Sequence, residues 1–110
     1  MQFPRIHLNG SSAESLLEQY RRAVVAVANA CTVVGDIDVN GRDYYVINSG
    51  AFTIARHEHI ERRRKLKALY DELAEVYHDI ERQHDERTAS KRADWDIAGI
   101  RNLGNQPDDI

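Results

Sequence analysis

The sequence predicts an all-α protein: a long antiparallel two-helix hairpin with an extended N-terminal arm and a short C-terminal helix or tail, oligomerising into a helical bundle. Three observations lead there. Between about Ala51 and His84, the residues Phe52, Ala55, Leu66, Leu69, Leu73, Val76 and Ile80 fall at alternating three- and four-residue steps, the mark of a helix with one buried seam. Leu17, Tyr20, Val24, Val27, Cys31 and Val34 keep the same steps in an earlier run. The two runs are joined by 16 residues, Gly35 to Gly50, with the turn chemistry that lets helices fold back on each other.

The elements follow in chain order. Residues 1–10 read as an extended arm, because Pro4 biases Phe3 away from helical angles and Phe3, Ile6 and Leu8 lack a helical period. Asn9-Gly10 turns the chain. Ser11 to Glu14 matches a capping box, with Ser11 capping the first helix, Glu14 reaching back and Leu8 packing just outside. The first helix then runs from about Ser12 to Val34, with Gly35 as its stop and Glu18–Arg22 as a favourable four-spaced ion pair. Leu16, Ala23 and Ala30 widen its apolar sector beyond what a two-helix seam needs.

In the connection, Asn40-Gly41 is a hairpin-turn signal flanked by Ile37, Val39, Tyr44 and Val46. A two-residue turn there would set Asp38 opposite Asp43, so an extended loop across the helix ends is expected rather than a β-hairpin. Asn48 or Ser49 caps the second helix, whose 34 or so residues would span about 50 Å. Simple folding back places Val34 near Phe52, Val27 near His59, Val24 near Arg62 and Leu17 near Leu69. Val76, Tyr77 and Ile80 are then left for the N-terminal arm to cover. Past about Glu86 the period fails, which divides the chain into a hairpin domain with its arm, 1–88, and a tail, 89–110. In the tail, Ser90 caps a short helix bearing Ala93, Trp95, Ile97 and Ile100.

Composition narrows the function. A chain of 110 residues makes one thin domain, and 42% hydrophobic with 30% charged residues gives a sparse core rather than disorder. Net charge is −3, so nucleic acid is not the expected partner. Cys31 is the only cysteine, no apolar run reaches the roughly 18 residues of a membrane span, and the N-terminus lacks a secretion signal. A cytoplasmic protein is expected.

Charge along the second helix is lopsided. Residues 56–67 carry six bases against two acids, and residues 71–87 carry seven acids against two bases. That order opposes the helix macrodipole. Two antiparallel copies would set each basic half against an acidic half, so self-association as a homodimer or higher oligomer is expected.

Few residues carry chemistry. His59 and Arg62 interrupt the apolar seam, either as a satisfied histidine beside a snorkelling arginine or as a cationic notch for an anion. Arg56 and Arg63 add charge, and Tyr20, Tyr44 and Tyr45 offer flat faces for a base. Arg42 and Asp43 stand in a loop that is either a plain turn or a lid, with Arg42 contacting an anion and Asp43 acting as a base or ribose acceptor. His57 and His59 are two apart and point to opposite sides of a helix, while Glu58 and Glu61 lack a Glu-x-x-His unit, so no metal site is expected. No cofactor motif, nucleophile triad or CxxC is present, and the protein is not expected to be an enzyme.

The run Asn40-Gly41-Arg42-Asp43-Tyr44-Tyr45, followed by Gly50-Ala51-Phe52, Ala55, Glu58-His59 and Arg62, resembles small proteins of phages, prophages and mobile elements. It is also similar to the helical-hairpin family of phage counter-defence sponges of the anti-CBASS and anti-Thoeris type. The similarity covers about residues 35–80. It implies a small oligomer in the host-cell cytoplasm that sequesters a cyclic nucleotide between protomers without cleaving it. Arg42, Arg62 and Arg63 would then contact phosphate, His59 would hydrogen-bond, and Tyr44 and Tyr45 would stack. The alternative is a small phage effector or structural protein acting by protein–protein contact through the long helix.

Overall fold

Ser12 starts the first helix. Its hydroxyl accepts from the Ser15 amide at 3.1 Å and α1 runs Ala13–Gly35. The cap therefore sits one residue later than Ser11. With Ser15 at the third helical position, no reciprocal glutamate completes a capping box. Glu18 pairs with Arg21, one turn away, rather than with Arg22. The computed structural model describes residues 1–105, with side chains through Arg92.

Two helices make the fold, and among the described residues there is no strand. The expected loop between them contains a single 3-10 turn, Gly41–Asp43, which Asn40 caps by accepting from the Arg42 amide at 3.0 Å. The Asn40-Gly41 pair thus opens a turn rather than a hairpin. Asn48 accepts from the Gly50 amide just ahead of α2, which spans Ala51–Asn105. The helix continues past Glu86, through the segment expected as a separate tail. Residues 106–110 of that tail, and the side chains of Trp95, Ile97 and Ile100, lie outside the described residues.

Ion pairs lace α2 as far as Glu86. Arg82 bridges Asp79 at 2.8 Å and Glu86 at 2.9 Å. Lys67 holds Asp71 at 2.6 Å, Arg62 meets Glu58 at 3.5 Å and Arg64 meets Glu61. Pairs three or four apart support a helix by about 0.2–0.5 kcal/mol each without any apolar partner.

The helices cross back antiparallel, but not in the simple register. Cys31 lies beside the Ile60–Arg64 turn, Glu14 lies 3.9 Å from His84, and the Arg63 guanidinium rests against Gly35. Val34 therefore does not meet Phe52. The Phe52 ring lies instead against Gly41, with Tyr44 edge-on to it at 6.4 Å between ring centres. The connection folds down over the first turns of α2, so α1 meets α2 roughly two to three turns later than expected. This slides Leu17 past Leu69 to the Val76–Ile80 region.

That region holds the core. Ile6, Ala13, Val76 and Ile80 are buried together, with Phe3, Leu16, Leu17 and Tyr20 against them. Ile80 is wholly enclosed. The arm covers this end as the sequence requires, and Gln83 fastens it. The Gln83 amide accepts from the Ile6 N–H at 2.9 Å, donates to the Pro4 carbonyl at 2.9 Å and donates to Asp79 at 2.8 Å. Arg87 donates to the Ile6 carbonyl at 3.2 Å. An extended segment without a sheet thus finds partners for its backbone on side chains of α2.

Replacing Ile80 with Ala should cost about 2–5 kcal/mol in urea unfolding, the range for large core truncations. Gln83→Leu should release the arm first, read as faster amide exchange at Ile6 with α1 protection retained. The Asp79 carboxyl is held below its ordinary range, chiefly by the Arg82 hydrogen bond and then by that from Gln83. A folded value below the unfolded one stabilises fully above the unfolded value and is lost as pH falls through the folded value. Arm docking should therefore loosen on acidification below about pH 4, and Asp79→Asn should flatten that dependence.

Candidate functional site

The expected site residues divide among separate surfaces. His59 lies on the α1-facing side of α2 and is buried, 8% exposed, and its Nε2 has no hydrogen-bond partner among the described residues. Arg62, one turn on, points to the outer face, where Glu58 pairs with it. There it shares a shallow groove with His57, Glu58, Glu61 and Lys65. Arg63 faces the other way, toward α1. The helix itself enforces this split, because adjacent positions on it are turned about 100° apart.

Arg63 belongs to a second groove, of about 370 Å³, lined by Cys31, Ile60, Arg63, Arg64 and Lys67. Three cations there face a small apolar floor. Arg64 is paired with Glu61 and Lys67 with Asp71, while Arg63 makes no ion pair among the described residues. The hydrogen bond from Lys67 to Asp71 raises the Lys67 amine above its ordinary value. Such a groove offers an anion one unpaired guanidinium and two shared cations.

Arg42, Asp43, Tyr44 and Tyr45 form the loop end and line neither groove. Tyr44 is half-buried against Phe52, whereas Tyr45 stands in solvent. Tyr20, expected as a further stacking face, packs into the core at the opposite end of α1. Among the described residues neither groove therefore collects the loop tyrosines, His59 and the arginines together.

The loop end shows a feature that periodicity does not report. Ile37, Tyr45, Val46, Ile47 and Ile54 are all exposed there, Val46 to 73%. The signal was the unbroken apolar run Tyr44-Tyr45-Val46-Ile47, in a segment too short to bury both its faces. Among the described residues, no three or more of His, Cys, Asp and Glu gather as a metal site. No described helix is long and apolar enough to cross a membrane. No protein-family model, curated protein or solved structure matches the chain.

An orphaned buried imidazole nitrogen lowers stability, since its hydration is lost with nothing in exchange. Replacing His59 with Leu should raise unfolding free energy by about 1–3 kcal/mol, measured by urea titration. A loss of that size instead would mean that His59 is bonded in solution.

Proposed function

We propose that the protein works without catalysis, as a small effector or structural protein that acts by contact with other proteins. The apolar loop end is the observation that supports this reading most directly. A monomer this thin leaves Tyr45, Val46, Ile47 and Ile54 in water, and clustered apolar side chains of that size mark surfaces that another macromolecule covers. The paired charges along α2 fit the same reading, because they describe a solvated helix rather than a polar site.

The groove at Cys31, Ile60, Arg63, Arg64 and Lys67 favours a second reading, a small phosphate-bearing ligand held without cleavage. The similarity to phage sponges would make that ligand a cyclic nucleotide and the compartment the host cytoplasm. Arg63 and Lys67 would contact phosphate, with Ile60 beneath the base. Arg42, Tyr44 and Tyr45 could join them only from another protomer.

Two measurements separate the readings. A photo-crosslinking residue at Val46 should give a discrete protein adduct in cells, and Ile47→Asp should abolish it at almost no cost in stability, since exposed sites change stability within about 0.5 kcal/mol. A thermal-shift screen against cyclic di- and trinucleotides should show no change. A ligand at 100 times its dissociation constant would stabilise by about 2.7 kcal/mol, and such a shift, lost in Arg63→Ala, would establish the second reading in place of the first.

A further inference from the structure

Leu69 holds a seam position by its spacing, yet it is 43% exposed. The covered side of α2 here carries Leu66, Tyr70 and Leu73, which are half-buried, and Leu69 stands at its margin. Beside it on the outer side are Lys65, Ala68 and Glu72, all exposed. Lys65 and Glu72 are seven residues apart, so they share nearly one azimuth at about 10 Å separation. That is too far to pair with each other. Neither makes an ion pair among the described residues, although Arg62, Arg64 and Lys67 around them are all paired within the helix.

This short face reads base, small apolar, large apolar, acid. Turned end over end about a point between Ala68 and Leu69, it complements itself: Lys65 meets Glu72, and Leu69 meets Ala68. On the longer scale the same rotation lays the basic stretch 56–67 along the acidic stretch 71–87. We propose that two copies of the chain pair antiparallel along this face of α2, with the twofold axis between Ala68 and Leu69. The inference rests on reading the protein as one that acts by contact, and it makes the occupant of the long helix a second copy.

Magnitudes set the character of this pairing. Residues 54–84 run about 45 Å on a helix about 10 Å wide. That strip falls short of the roughly 800 Å² per partner of a standard interface. Leu69 and Ala68 add little apolar area, so charge fixes the register and the dimer is reversible. The arrangement also places the two loop ends on opposite sides of the axis, with the starts of the two α2 helices about 50 Å apart.

Sedimentation equilibrium of the full chain from 1 to several hundred micromolar (on the order of a weak complex) tests the pairing. In low salt the wild type should dimerise, and added sodium chloride should weaken it. Lys65→Glu or Glu72→Lys alone sets like charges together twice, and should weaken association about tenfold or more. An equimolar mixture of the two variants should recover wild-type association, because each chain then meets its opposite. The double variant should recover it alone. Circular dichroism of each variant confirms that the helices persist. A single-chain mass at every concentration overturns the pairing, and so does a dimer indifferent to both substitutions. Neither result touches the loop end, whose crosslinking test stands apart.

Discussion

One glutamine side chain settles how this molecule closes. The arm at residues 3–6 is extended and has no neighbouring strand, so its amides and carbonyls need partners from elsewhere. Gln83 supplies an acceptor to Ile6 and a donor to Pro4, and its second amide hydrogen is spent on Asp79. Asp79 is steadied in turn by Arg82. With the arm so fixed, Ile6 lies over Val76 and Ile80, and the open end of the hairpin acquires an interior. The rest of the protein has almost none. Its radius of gyration is 25.0 Å, whereas a compact chain of about 100 residues would measure about 13 Å. It is a rod with one sealed end.

What the sequence revealed follows from that geometry. Periodic apolar spacing reports helices and the end left uncovered by unequal helix lengths, so α1, α2 and the arm over Val76 and Ile80 were all legible. Register was not. The loop folds onto Phe52 through Gly41 and Tyr44, contacts that no period encodes, and this moved every interhelical pairing by two turns or more. Gln83 was invisible for a different reason: a polar residue among charged ones looks like any solvated position until an arm arrives to use it. The end of α2 was misjudged because the loss of apolar spacing after Glu86 does not by itself end a helix. Of the candidate residues, Arg62 and Arg63 differ by one position in sequence and by about 100° around the helix, enough to put them in different grooves.

The charge pattern bears on function through what is paired and what is left. About half of the ionic groups on the described part of α2 are answered within a turn, and such pairs contribute little. Among those without an ion pair in the described residues are Arg63 toward α1, and Lys65 and Glu72 outward. An apolar loop end at one extremity and a self-complementary strip at mid-length describe a protein whose surfaces work in combination. Joined through that strip, two chains would present a pair of greasy heads at a fixed separation, suited to bridging two targets or two sites on one.

The fastening of the arm has a consequence for biosynthesis. Ile6 and Gln83 are separated by 77 residues, and the Arg87 contact spans 81. On the ribosome the arm is made well before its dock, and must wait until Gln83 and Arg87 have been translated. Phe3, Ile6 and Leu8 are meanwhile free to meet other surfaces, including those of neighbouring nascent chains. Docking of the arm therefore trails its synthesis by about 80 residues, and that interval exposes its apolar side chains to wrong partners.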